Sequence, residues 1–96
     1  MTAYIVFTRE ETLDPAELAT YAAMVPPTWV GHDLKAIARL GTLEVLEGEP
    51  FEGCFILQFP SFAAAKAWYG SPAYQAAAQH RFAGARFRVF IVEGAE

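Results

Sequence analysis

The residues best suited to chemistry in this chain are few and scattered. His32 stands in the connection TWVGHD with Asp33 beside it, and an imidazole can exchange a proton near neutral pH. His32 is therefore the candidate catalytic acid or base. Neighbouring residues of an extended chain point to opposite sides, so Asp33 is poorly placed to orient it, and a loop histidine with solvent or backbone partners is the competing reading. Lys35, Ile37 and Arg39 alternate onto one side of a predicted strand, and Arg86 and Arg88 onto one side of another. Arg39 or Arg86 would suit a substrate carboxylate, which a guanidinium grips through paired hydrogen bonds. The competing reading pairs these cations with Glu44, Glu47 or Glu93 at the sheet ends. It is the stronger one, because an arginine buried without a partner is expensive.

The stretch FPSFAAAKAWYGSPAYQAAAQHR adds an aromatic cluster, Trp68, Tyr69 and Tyr74. Trp68 lies three and four residues after Ala65 and Ala64 and shares their helical stripe, while Tyr74, Ala77, Ala78 and Arg81 form a second one. Alanines permit close helix-to-sheet approach and the rings supply volume, so packing is the primary reading. Trp68 and Tyr74 are also candidate substrate-binding residues, and a phenol there can hydrogen-bond a ligand or Arg81. Ser61 and Ser71 read as helix caps and not as nucleophiles. His80, late in the second segment, is expected at the surface, since the alanine face leaves little room for a haem. No metal-ligand spacing, glycine-rich phosphate loop, or flavin or nicotinamide signature is present, so no metal or cofactor is expected.

Those side chains need a scaffold. Tyr4 to Thr8 is rich in β-branched and aromatic residues and predicts a first strand. LDPAEL predicts a helix over Pro15 to Val25, with Asp14 as N-cap, Pro15 at the first helical position, Glu17 closing a capping box, and a Leu13–Leu18 staple; Pro26 and Pro27 end it. LKAIARLGTLEVLEG alternates as a long second strand interrupted at Gly41, where a bulge or bend is expected. After the turn residues GEPFEG comes a third strand, CFILQF, making an antiparallel hairpin with the second. Two helical segments follow from Ser61 and Ser71, separated by Gly70, and ARFRVFIVEG closes as the fourth strand. The order β-α-β-β-α-β is that of an α+β ferredoxin-like fold: a four-stranded antiparallel sheet with its helices on one face.

Both faces of that sheet are apolar. Strand 1 offers Tyr4 and Val6 on one side and Ile5 and Phe7 on the other, and strand 3 offers Cys54 and Ile56 against Phe55, Leu57 and Phe59. Helices cover one face only, and the other would expose more apolar surface than soluble monomers tolerate. A homodimer joined sheet to sheet is therefore expected. Its interface of roughly 2,000 Å² would bring tens of kcal/mol of gross hydrophobic transfer, before association costs. With 96 residues, residues 1–96 are expected to form a single domain. A net charge of −4 gives no drive toward polyphosphate, so nucleic acid is not an expected partner. Cys54 is the only cysteine, which excludes an intrachain disulfide, and its apolar neighbours predict a buried, inert thiol. No membrane-spanning stretch or leader pattern is present, and a cytoplasmic protein is expected.

The opening AYIVF, the central ARLGTLEVLEGE, the stretch LQFPSFAAAKAWYGSPAYQ, Arg81, Arg86 and the closing VEG resemble the DUF1330 family across nearly the whole chain. The resemblance implies the dimeric α/β-barrel group of ferredoxin-like folds, whose wider membership includes cofactor-free monooxygenases, lactone isomerases and haem enzymes. It implies no general reaction. Family members resemble one another in a His-Gly-Gly turn before strand 2, where this chain has His32, Asp33 and Leu34. The reading carried forward is a small-molecule-binding protein, in its catalytic form a cofactor-free enzyme acting on a small anionic or carbonyl compound. The alternative is a non-catalytic dimeric structural or regulatory module.

Overall fold

The computed structural model describes residues 1–95. Its strands are β1 (Ala3–Thr12), β2 (Lys35–Arg39), β3 (Gly53–Phe59) and β4 (Ala85–Glu93); its helices are α1 (Pro15–Met24), α2 (Phe62–Tyr69) and α3 (Pro72–Gly84). A 3-10 turn, Pro26–Trp29, follows α1. The sheet runs β2-β3-β1-β4 with every neighbouring pair antiparallel, the order that β-α-β-β-α-β connectivity predicts. No helix among the described residues is long and apolar enough to cross a membrane.

The helix signals act as the sequence indicates, with one exception. The Asp14 carboxylate accepts from the Ala16 amide, Ser61 from the Ala64 amide and Ser71 from the Tyr74 amide, and a proline opens both α1 and α3. Glu17, expected to close a capping box, instead meets His80 Nδ1 at 2.6 Å and ties α1 to α3. Tertiary pairing outcompetes the local cap there, and the pair leaves His80 half-buried. Between α2 and α3, Ser71 Oγ both donates to the Trp68 carbonyl and caps α3, which fixes the turn through Gly70.

Two strands depart from expectation. β1 continues through the polar residues Arg9 to Thr12 because β4 runs alongside to pair Thr12 with Ala85, across an irregularity between Arg9 and Glu11. β2 stops at Arg39, and TLEVLE does not prolong it. The expected interruption at Gly41 falls earlier: Ala36 pairs with Leu57 and Ala38 with Ile56, so Ile37 is an extra, bulged residue. The chain then turns at Leu40, which takes φ 53° after its amide bonds the Cys54 carbonyl.

The core lies between sheet and helices, where Ile5, Phe7, Leu57 and Phe59 meet Ala65, Trp68, Tyr74 and Ala78. Both predicted stripes are buried, Ala65 with Trp68 on α2 and Tyr74, Ala77, Ala78 and Arg81 on α3. By contrast, α1 contains no buried residue. It leans on α3, where a Cβ added to Gly84 would lie 2.8 Å from Leu18 Cδ2 and 3.0 Å from the Leu18 amide nitrogen. The Gly84 carbonyl also accepts the Leu13 and Asp14 amides, at 2.8 and 2.9 Å.

Gly84→Ala should therefore push α1 off α3. Overpacking outweighs the helix propensity gained, and we expect a net loss of about 1–2 kcal/mol, read as a fall of roughly 5–15 °C in melting temperature. A melting temperature at or above that of the parent would contradict this packing.

Candidate functional site

Because α1 rests on α3 rather than on the strands, a cleft of about 660 Å³ opens between α1 and the sheet. Leu18, Tyr21, Ala22 and Val25 of α1 form one wall, with Trp29 beside them. Phe7, Phe55, Leu57 and Phe87 form the sheet wall, and Trp68 also lines the space. A volume of this size, apolar with few polar groups, is typical of small-molecule sites.

Its polar side chains all carry donors, and the Tyr21 hydroxyl can accept as well. Arg39 reaches the cleft because the Ile37 bulge reverses the alternation after Ala36, so Arg39 pairs with Phe55 on the helix-covered face. Its guanidinium lies 5.7 Å from the Trp29 ring centroid and makes no ion pair among the described residues. Trp29 Nε1 is enclosed and has no hydrogen-bond partner among the described residues. A buried N–H left unsatisfied costs on the order of 1–3 kcal/mol. Arg9, at the other rim, is held by Glu52 at 3.1 Å. The Thr12 hydroxyl and amide, ahead of Arg9, hold the Glu52 carboxyl below the usual carboxylate range. No carboxylate or imidazole side chain lines the cleft among the described residues.

Tyr21 supplies the remaining polar group. Its hydroxyl lies 2.8 Å from that of Tyr74, and Arg81 Nε donates to the same Tyr74 oxygen at 3.3 Å while Nη2 donates to the Tyr69 hydroxyl. A guanidinium can only donate, so the Tyr74 oxygen accepts from it. The Tyr21 and Tyr74 hydroxyls share one hydrogen bond, in which either can be the donor. Burial raises the Tyr21 phenol far above its ordinary range, reinforced by the Tyr74 phenol, and burial raises Tyr74 against the opposing pull of Arg81. Both are neutral donors at physiological pH.

Trp68 fixes the floor. Its Nε1 donates to Thr28 Oγ1 at 3.2 Å, Thr28 donates to the Val25 carbonyl, and the indole stacks 4.1 Å from the Tyr74 ring. The 3-10 turn that carries Trp29 is thus anchored to the core. Of the residues singled out in the sequence, Arg39 and Trp68 line the cleft and Tyr74 stands directly behind Tyr21. His32 is half-buried just past Gly31, which takes φ 83°; its amide bonds the Trp29 carbonyl, and it does not line the cleft. Arg86 is elsewhere, paired with Glu11 at 2.8 Å across β1 and β4. Sequence reasoning missed Tyr21 and Trp29 as cleft residues. Tyr21 carried a signal, as the one phenol on the apolar stripe of α1, whereas Trp29 sat in an unpatterned connection. Cys54 faces away from the helices, and burial pushes its thiol up.

Neutral, buried phenols make the fold alkali-sensitive. Their contribution is fully present below the unfolded tyrosine pKa near 10 and is lost as pH rises toward the higher native values. We expect urea midpoints to fall more steeply above about pH 10 in the parent than in Tyr21→Phe. Phenolate absorbance showing all four tyrosines ionising near pH 10 in the folded protein would contradict the burial of this network.

Comparison with solved structures supports the fold independently. A protein of unknown function from Rhodopseudomonas palustris is similar at 21% identity and TM-score 0.76, over 99% of this chain and 83% of that one. A dimeric ferredoxin-like protein of unknown function from Jannaschia sp. CCS1 is similar at 18% identity and TM-score 0.67, covering 98% and 100%. SnoaB, a cofactor-independent oxygenase from Streptomyces nogalater, is similar at 10% identity and TM-score 0.66, covering 99% and 94%. At these identities the likeness is one of fold. No curated protein matches the sequence. The family model for DUF1330, a domain of unknown function, matches residues 2–95, and the chain belongs to that family.

Proposed function

We propose that this protein binds a small, largely apolar molecule bearing an anionic or carbonyl oxygen in the cleft between α1 and the sheet. The observation that carries the reading is the apolar cleft with the Arg39 guanidinium at its rim, which forms no ion pair among the described residues. Arg39 would hold the oxygen, and Trp29 and Trp68 with Phe55 and Leu57 would hold the body. Donors fixed in a dry site stabilise negative charge developing on a bound oxygen, which suits a cofactor-free enzyme. A structurally similar protein described as a cofactor-independent oxygenase is consistent with that form of the proposal. The cleft has no base of its own among the described residues, so proton abstraction would fall to a group outside its lining. His32, three residues beyond Trp29, is the nearest of the sequence-derived candidates along the chain.

The probe is 8-anilino-1-naphthalenesulfonate, an apolar anion that fluoresces when dry. We expect saturable binding that weakens about tenfold in Arg39→Ala, through the lost charge-assisted hydrogen bond, and several-fold in Trp29→Phe. His32→Ala should bind as the parent does. Equal affinity in the parent, Arg39→Ala and Trp29→Phe would remove the site.

The working unit in this proposal is a cytoplasmic homodimer joined through the uncovered sheet face. Ile37, Phe90 and Val92 there are 47%, 48% and 46% exposed, beside half-buried Tyr4, Val6 and Ile56. Related folds described as dimeric are consistent with it. Sedimentation should give twice the chain mass for the parent and the chain mass for Phe90→Lys, whose charge would be buried against the partner. A parent that sediments as a monomer would contradict the dimer.

A further inference from the structure

Arg81, in the last turn of α3, is only 3% exposed. Its Cζ lies over the rings of Phe7, Phe82 and Phe87, at 5.6, 4.9 and 5.2 Å from their centroids. Those rings attract a cation without neutralising it. Of its five N–H groups, one on Nε goes to Tyr74 and one on Nη2 to Tyr69, which leaves three without an acceptor among the described residues. No carboxylate among the described residues forms an ion pair with it. A buried cation without a counter-charge is costly, and the group that would relieve it is an anion.

There is room for one. Nη1 has no partner, yet among the described residues the only sealed, unpartnered side-chain polar atom is Trp29 Nε1, so Nη1 still meets accessible space. Arg81 lines a second space, a shallow depression of about 480 Å³ open to solvent at the β4 edge of the sheet, together with Tyr69, Phe82, Arg86, Phe87 and Val89. This depression shares only Phe87 with the cleft under α1. Arg86 also borders it from the strand edge, in phase with Arg88 and out of phase with Phe87 and Val89. Its contact with Glu11 joins two exposed side chains, a weak kind of pair that an incoming anion can compete with.

We propose that the depression at the β4 edge is a separate binding site for a small carboxylate with an apolar body. The unpaired edge of Arg81 takes the carboxylate, Arg86 closes over it, and Tyr69, Phe82 and Val89 receive the body. Cation pairs of this type suit a planar carboxylate because the guanidinium fork matches its two oxygens. The site does not depend on the cleft, and its variants differ from those that test the cleft.

Benzoate is the probe, followed by backbone amide shifts of Phe82 and Val89 in the isotope-labelled protein. Saturable shifts are expected, weakened roughly threefold in Arg86→Ala and unchanged in Arg39→Ala. Arg81→Lys, which keeps the charge and loses the fork, should weaken binding about tenfold or more. If that variant does not fold, the contrast between Arg86→Ala and Arg39→Ala still decides. Benzyl alcohol, with the same ring and no charge, should not shift these amides. Absent or non-saturable shifts, equal shifts with benzyl alcohol, or binding lost in Arg39→Ala and retained in Arg86→Ala would each overturn the proposal.

Discussion

One guanidinium holds this structure together from inside. Arg81 ties Tyr69 at the end of α2 to Tyr74 on its own helix, and Tyr74 in turn meets Tyr21 of α1. The rings of Phe7 on β1 and Phe87 on β4 complete its surroundings. Three helices and two strands therefore converge on a charge with no carboxylate paired to it among the described residues. Such a centre persists only when hydrogen bonds and aromatic faces together replace the water that burial removes. The Tyr21–Tyr74 contact and the close passage of Leu18 over Gly84 set where α1 sits, and that position stands off the sheet. The cleft is the space left by a helix that is attached to another helix instead of to strands.

The sheet thereby divides its labour between two faces. On the covered face, alanines let α2 and α3 pack tightly while α1 leaves a chamber whose polar side chains all carry donors. On the other face Tyr4, Val6, Ile56, Phe90 and Val92 form an uncovered apolar patch, bordered by Thr8, Gln58 and Arg88. The proposed binding cleft and the proposed dimer face thus lie on opposite sides of one sheet.

Much of the scaffold was legible in the chain because it rests on local rules. Asp14, Ser61 and Ser71 cap the helices that follow them, Pro15 and Pro72 open their helices, and alternation marks both faces of β1, β3 and β4. The stripes on α2 and α3 follow from helical spacing alone. What the sequence hid was non-local. Glu17 could satisfy a capping box or reach His80, and only the approach of α3 decides between them. Alternation put Arg39 beside Ile37, but the extra residue at Ile37 reverses that phase, and the register of β3 imposes it. The general cost of an unpaired buried arginine argued for carboxylate partners. Arg86 has one in Glu11, while Arg81 is surrounded by phenols and rings drawn from distant parts of the chain. His32 attracted attention by residue type, which says nothing about whether a side chain reaches a cavity.

The most direct test of this account is a high-resolution crystal structure of the purified protein, examined at Trp29. An open chamber between α1 and the sheet is expected, with an ordered water or a bound molecule accepting from Arg39 beside the Trp29 ring. An α1 collapsed onto Phe55 and Leu57, with Trp29 Nε1 bonded to a protein carbonyl and no chamber left, would contradict it.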